Sequence, residues 1–575
     1  MESKWMLYTK RADFEKISAR FHISPVLARI IINRDIKEED FLLYLKSDLS
    51  LMHDAGRLYG VEDAYNEIMS EIKKGNKIRV VGDYDIDGVC SSYILVKSLR
   101  RFGANADVRI PDRIKDGYGI NDNIINEAAN DKISMIITCD NGIAAHSQME
   151  LAKKLGIKVI ITDHHEVYQE EGKDYLPVAD VVINPKRSEC KYPFKSICGA
   201  LVAYKLMEYM FERLYGKKMY EDGELSDLLE VAAIATIGDV MPLVDENRVL
   251  VKHGLKSLMN TKNLGLRALI KATGMEGKKI SAYSIGFVIG PCLNAGGRLE
   301  NALVALNMFM SESSDEANEY AMHLKELNDE RKDLTAMNVK VAVELAEREY
   351  ADDDILVIYL ENCHESIAGI IAGRVREALG KPTIILTDAF GEDGMIKGSG
   401  RSIESYNMFE ALYEVKDIFE KFGGHHMAAG MSLKKDRLDE FRKRLNENSK
   451  LTKEDFIQKI WIDIPLPFSY ISHDFVRELE KLEPYGNKNE KPKFARKGIK
   501  ILSKSILGKN KNVVKMVLED DGTRLDGIYF CDGEAFFEEL KGNNEIDIIY
   551  YPDINEYGGR ESLQVIITGY KIKNI

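Results

Sequence analysis

The chain has 575 residues, with 93 Asp+Glu against 80 Lys+Arg for a formal charge of −13. That length leaves room for three or four domains at about 150 residues each, and 45% hydrophobic with 30% charged residues can bury several cores, which excludes wholesale disorder, a collagen-like repeat and a disulfide-stapled miniprotein. The seven cysteines are scattered and never form a C-x-x-C pair, so a zinc ribbon is disfavoured and a reducing compartment expected.

The opening MESKWMLYTKRADF lacks the basic-then-apolar run of a signal peptide, and no stretch reaches the roughly 18 apolar residues of a membrane span, so a cytoplasmic protein without membrane contact is expected. Short β-branched runs follow: KIRVV ending at Val81, MIIT at Thr138, VIIT at Thr162 and VVI at Ile183. Helix-like segments such as SSYILVKSLRRF alternate with them, which predicts β/α units around a mostly parallel sheet. Three of the runs end in polar clusters, GDYDIDG, CDNG and TDHH, and functional groups in such sheets gather beyond the carboxyl ends of strands.

Residues 311–350 are charged and free of Gly and Pro, with Ala317, Ala321 and Leu324 at helical spacing, predicting a long connecting helix. A second α/β domain is expected over 351–447, from the strand-like DILVIYL and PTIILT with the helix-like GIIAGRVREAL between them. From 456 to 575, five strand-like runs with GEAFFEELKG between the third and fourth fit a five-stranded OB-type barrel, a common binder of single-stranded nucleic acid. The first domain, with the N-terminal segment, is placed at 1–310.

Asp83-Tyr-Asp85-Ile-Asp87-Gly88 matches the first half of an EF-hand loop, but position twelve is Ile94 where a bidentate Glu is needed, and the segment follows a strand. A solvated acidic turn would serve a lone D-x-D. Here Asp140 and His164-His165 follow successive strand-like runs, and Asp239 stands in TIGDVMPL after an apolar helix-like run. Carboxylates converging without a basic partner repel one another unless a cation neutralises them, and an oxygen-rich set with imidazole suits Mn²⁺ or Mg²⁺. Two ions about 3.5 to 4 Å apart would make a phosphoester-hydrolysing centre. No G-x-x-x-x-G-K-[ST] supports a P-loop ATPase.

GDYDIDG, CDNG, TDHH and TIGDVMPL, in this order, closely resemble the four motifs of the DHH family of phosphoesterases, named for a triplet that is Asp163-His164-His165 here. GPCLNAGGRL (290–299) and LEPYGNKNEKPKF (482–494) resemble the bacterial single-strand-specific exonucleases of that family, and the likeness runs from about Trp5 to the C-terminus. It implies Asp85, Asp87, Asp140, His164 and Asp239 as ligands of two Mn²⁺ or Mg²⁺ ions, with Asp140 the bridge and Asp83 a ligand or a supporting group. His165 would face the scissile phosphate and Asp163 would orient an imidazole. The nucleophile would be water activated by the cations.

For substrate, GGHHMAAG (423–430) reads as a glycine-rich turn entering a helix, where backbone N–H groups can approach a phosphate, and resembles the signature of the DHH-associated domain. Gly424 and His425 are therefore candidates, with Asn294 and Arg298, Ser399 and Arg401, Arg374, and Tyr118 as a ring that could stack or simply pack. Cys363-His364-Glu365-Ser366 stands where this branch usually has W-H-E-G, a departure that touches no proposed ligand. Lys491 to Lys515 holds nine Lys/Arg and no acid, so Lys493, Arg496 and Lys497 are expected to track phosphates while Phe494 or Tyr529 contacts bases.

The resemblance implies 5′→3′ hydrolysis of single-stranded DNA to mononucleotides in recombination and repair, beside a helicase and single-stranded-DNA-binding protein. A nanoRNase or cyclic-dinucleotide phosphodiesterase would need only the two α/β domains. A catalytically dead DNA-binding scaffold should have lost ligands that this chain keeps.

Overall fold

In the computed structural model, which describes residues 3–572, five short strands form one parallel sheet. They are Lys77–Val81 (β1), Asn105–Arg109 (β2), Met135–Cys139 (β3), Lys158–Thr162 (β4) and Val181–Ile183 (β5), ordered β2-β1-β3-β4-β5. Four of the five are almost wholly buried, as strands covered by helices on both faces are. The order reverses between β1 and β3, and at such a switch point the chain leaves the two strands in opposite directions and opens a crevice.

Ile86–Arg101 (α1) springs from the end of β1, capped by Asp85, whose carboxylate accepts from the amides of Asp87 and Gly88 at 2.9 and 3.1 Å. It is buried nearly all round and packs on Gly199–Tyr215 (α2) and Asp227–Gly238 (α3), two further apolar helices. Gly290–Leu299 (α4) follows. Ser314–Glu349 (α5) is the expected long helix, 36 residues, with a narrow buried stripe from Ala317 to Ala346. Its length of about 54 Å lets it pack on α4 at one end and on Ala368–Leu379 (α6) at the other.

The next sheet contains Leu356–Tyr359 (β6), Thr383–Asp388 (β7), Met395–Arg401 (β8), Phe419–His425 (β9) and Ala428–Lys434 (β10), in the order β9-β10-β8-β7-β6, with only β6 and β7 parallel. This corrects one expectation, because 423–430 enters no helix. It is the β9–β10 hairpin, with His426 and Met427 at the tip. The reason lies in the period: Ala429, Met431 and Leu433 alternate into the core, a strand pattern that the glycines mask.

Residues 52–241 and 253–458 make one compact unit; residues 3–51, 242–252 and 459–572 make a second. The second unit holds Phe494–Leu507 (β11), Val513–Asp520 (β12), Thr523–Phe530 (β13), Glu545–Tyr557 (β14) and Arg560–Ile572 (β15). Pairing runs β11-β12-β13-β15-β14, and β14 returns to β11, closing a five-stranded barrel. Gly533–Leu540 (α7) lies between β13 and β14 as expected, contributing Phe536 and Leu540 to the core.

The N-terminal residues, expected with the first domain, pack elsewhere. Ile17, Leu27, Ile30 and Phe41 share one core with Phe468, Phe494 and Tyr550. Arg248 is buried with them, its guanidinium donating to the carbonyls of Tyr44, Lys481 and Leu482 at 2.8 to 2.9 Å. All seven cysteines are unpaired. No helix among the described residues is long and apolar enough to cross a membrane.

Candidate active site

The β1/β3 crevice gathers the acidic motifs. Asp83 to Asp87 leave β1, Asp140 follows β3, Asp163 to His165 follow β4, and Asp239 caps the end of α3. Asp140 sits in the left-handed region at φ 60°, a conformation that Asp tolerates better than most residues. It is reached closely by Gly199 at the start of α2, where a Cβ would lie 2.8 Å from that of Asp140. The same helix N-terminus donates the amides of Gly199 and Ala200 to the buried Asp87 carboxylate at 2.6 and 2.8 Å.

His164 Nε2 lies 3.1 Å from Asp140 Oδ1, 3.6 Å from Asp87 Oδ2 and 3.8 Å from Asp239 Oδ2. Three overlapping groups, Asp83-Asp85-Asp140, Asp87-His164-Asp239 and Asp140-His164-His165, each bring one atom per residue within 4.8 Å of the others. Asp140 and His164 are the shared members. Asp163 carries a different load: Oδ1 accepts from the amides of His164 and His165 and faces His165 Nδ1 at 2.8 Å, and Oδ2 accepts from the Ile143 amide.

Burial, then mutual repulsion, drives the carboxyls up. Asp83 and Asp239 are pushed to about 8, and Asp87 and Asp140 also rise. Burial lowers His164. Burial also pulls on His165, but the hydrogen bond to Asp163 and its charge outweigh it and raise the imidazole to about 9. No Lys or Arg forms an ion pair with any of these acids among the described residues. Asp239 Oδ2 and His164 Nδ1 are buried without a hydrogen-bond partner there. Orphaned polar atoms among repelling carboxylates, oxygen-rich with imidazole, fit a divalent pair such as Mn²⁺ or Mg²⁺.

A cationic group centres on Arg298, which feels the charge of Asp85. Arg298 Nη1 donates to the Ser366 carbonyl at 2.8 Å, and burial, with Arg113 and Arg331 nearby, lowers its pKa to about 10. Arg401 contributes to the same positive field; Ser399 Oγ and the Gly400 carbonyl accept from its Nη1 at 2.7 and 2.8 Å. Gly369 makes room for it, since a Cβ there would stand 2.8 Å from Arg401 Nη2. Arg298 thus feels the like charges of Arg113, Arg331 and Arg401, a concentration of positive charge that a bound anion would relieve. Arg113 and Arg331 were not singled out from sequence, because a lone cation in a loop or on a charged helix gives no local signal.

Other candidates fall differently. Asn294 Oδ1 is occupied by the Ile86 amide at 2.9 Å, so its oxygen braces the acidic loop instead of gripping substrate. Tyr118 donates its hydroxyl to the Asp140 carbonyl at 2.9 Å and leaves its ring edge-on to Tyr84 and His165. Arg374 is exposed and paired with Glu377 at 3.4 Å. His425 is exposed at the end of β9, behind Gly424 at φ 156°. Cys363 is buried in the core beside α6.

On the barrel, Arg496 is bound to Asp520 and Asp521 and Lys493 to Glu490, carboxylates outside the basic run that its local composition could not reveal. Phe494 is fully buried and Tyr529 packs on Phe536 and Tyr570, so neither ring offers a free face as expected. Lys497 is exposed and in no ion pair among the described residues.

Three family models match, in chain order: the DHH family N-terminal domain over 77–236, the DHHA1 domain over 352–450 and the RecJ OB domain over 462–569. The single-stranded-DNA-specific exonuclease RecJ of Bacillus subtilis is 36% identical over 99% of this chain and 71% of its own length. The Escherichia coli protein of that name is 32% identical over 95% of both. The chain belongs to the RecJ family. The crystal structure of Thermus thermophilus RecJ in complex with Mn²⁺ superposes with a TM-score of 0.84 at 25% identity, covering all of this chain and 80% of that one. RecJ kinship thus spans both α/β domains and the barrel, and agrees with the DHH resemblance read from the four acidic motifs.

Proposed function

We propose that the chain is an exonuclease that hydrolyses single-stranded DNA from its 5′ end, releasing mononucleotides at a centre of two divalent cations, Mn²⁺ or Mg²⁺. The observation that carries this reading is the pair of donor clusters at the sheet's switch point, Asp83-Asp85-Asp140 and Asp87-His164-Asp239, joined by a third that contains both Asp140 and His164, in a chain whose RecJ kinship is nearly full-length. Asp83, Asp85 and Asp140 would hold one cation; Asp87, His164 and Asp239, with Asp140 between, the other. Bound there, the cations supply Lewis acidity to the phosphodiester and activate the attacking water.

The chain's own residues do the rest. His165, held protonated by Asp163, donates to a non-bridging phosphate oxygen as charge develops. Arg298 and Arg401, with Arg113 and Arg331, hold a neighbouring phosphate in line, and His425 and the Gly424 backbone approach from the β9–β10 hairpin. Tyr118 fixes the Asp140 backbone. In this division of labour catalysis lies within 1–310, phosphate grip is shared by Arg113 and Arg298 of that domain, Arg331 of the 311–350 helix and Arg401 of 351–447, and strand binding lies in 456–575, with residues 3–51 supporting the barrel. The reading carries with it a cytoplasmic role in recombination and repair, beside single-stranded-DNA-binding protein and a helicase.

The test incubates the protein with single-stranded and blunt duplex oligonucleotides labelled at either end, in Mn²⁺ or EDTA, beside Asp140→Asn, which keeps the left-handed backbone accessible. Early release of 5′-labelled mononucleotide from single strands alone, lost in EDTA and in the variant, is the expected result. Cleavage of dinucleotides with long strands left intact would refute it.

A further inference from the structure

The helical stretch leading into α4 carries two rings that the chemistry above does not use. Tyr283 and Phe287 stack with centroids 4.7 Å apart and planes 27° from parallel, yet are 68% and 61% exposed. Isolated exposed aromatics need no explanation, but two stacked on each other form a platform presented to solvent. The backbone helps to make it: Ile285–Ile289 is a π turn, a rare geometry that is frequent at functional sites, and its wide turn brings side chains four apart into line.

The platform is fixed to the acidic crevice. The helix runs on without a break into α4, where Asn294 Oδ1 accepts from the Ile86 amide at 2.9 Å. Gly290 approaches Ile86, next to Asp85, and Gly286 approaches Ile237, two residues before Asp239, with Cβ positions 3.3 and 3.9 Å from those side chains. From Phe287 to Asn294 is about 10 Å along the axis.

The flanking sequence is basic. Residues 253–299 hold seven Lys/Arg and one acid, Glu276, in a chain whose net charge is −13, and Lys278 and Lys279 lie five and four residues before Tyr283. Lys256, Lys262, Arg267, Lys271 and Lys278 are exposed and in no ion pair among the described residues. An apolar peptide would not call for so basic a flanking segment, whereas a polyanion with flat, stackable bases matches both the rings and the charge.

We propose that Tyr283 and Phe287 form a base-stacking platform for single-stranded nucleic acid, holding bases a few nucleotides from the bond that is cut, with cations of the flanking segment, Lys278 first among them, on their phosphates. The placement relative to the cut bond rests on the exonuclease reading. The binding itself does not.

The experiment measures fluorescence anisotropy of a labelled thymidine 12-mer in EDTA with the wild type, a Tyr283→Ala/Phe287→Ala double variant and Phe287→Trp, and repeats it with a strand of abasic sites. The double variant should weaken 12-mer binding by roughly 10- to 100-fold, as stacking losses of this kind do. Phe287→Trp should stay within about threefold, and the abasic strand should bind wild type and double variant alike. In Mn²⁺ the double variant should raise KM for the 12-mer by a similar factor with little change in kcat. Unchanged affinity of the double variant for the 12-mer, or an equal loss on the abasic strand, overturns the platform. A wild type that binds the 12-mer but cuts nothing refutes the exonuclease reading and leaves the platform to be judged on binding; one that binds no strand refutes both.

Discussion

Stripping the divalent cations should make this fold lose stability as pH rises. Asp83 and Asp239 are each raised from 3.8 to about 8 by burial and then by neighbouring carboxylates, so between those values the native state keeps a proton that the unfolded chain gives up. Their contribution is fully present below pH 3.8 and is lost by about pH 8. His165, raised from 6.5 to about 9, adds in the same direction, present below 6.5 and lost as pH passes 9. His164, lowered from 6.5, opposes them only below 6.5, and Asp163, lowered from 3.8, only in acid. Between about pH 6.5 and 8.5 every resolved group at the centre therefore pulls one way. One proton contributes about 1.4 kcal/mol per pH unit while it is held, and the slope fades as pH passes 8, so a single such carboxyl costs on the order of 2 kcal/mol across that window. At roughly 2 °C per kcal/mol, one such carboxyl should lower the first unfolding transition by about 4 °C in EDTA. Mn²⁺ replaces the protons with a cation, so its stabilising effect should be larger at pH 8.5 than at pH 6.5. Differential scanning fluorimetry in both conditions provides the measurement. A cation-free transition that stays level or climbs over this range would falsify the claim that these carboxyls are held together against their charge.

Two substitutions separate support from grip. Asp163→Asn places an amide where one carboxylate serves four donors, and kcat should fall about 10- to 100-fold with strand affinity little changed, as loss of a group behind a ligand histidine does; a kcat within twofold of wild type would mean that His165 does not depend on it. Gly369→Ala sets a methyl against the Arg401 guanidinium and should raise KM about tenfold, the value of one charge-assisted hydrogen bond, with kcat nearly kept. An unaltered KM in a folded variant would remove Arg401 from the phosphate site.

What could be read from sequence here is what is local. GDYDIDG, CDNG and TDHH each follow a β-branched run, and a parallel sheet brings strand ends together whatever the helices do, so the acidic crevice was legible before its coordinates were. The 311–350 helix and the five barrel strands were legible for the same reason, since period and turn residues act over a few positions. Pairing across long separations was not. Arg496 looked free because Asp520 and Asp521 lie some 24 residues away on the next strand, and the Arg113 and Arg331 contributions exist only once a loop and a helix meet Arg298. The GGHHMAAG hairpin shows the remaining gap: glycine removes the side chains that would declare a strand's two faces, so the same residues read as a turn until Met431 and Leu433 are seen in the core. Chemistry that needs charges to converge at strand ends leaves its mark in composition. Chemistry that grips a polymer is assembled from residues far apart in the chain, and it has to be read from the fold.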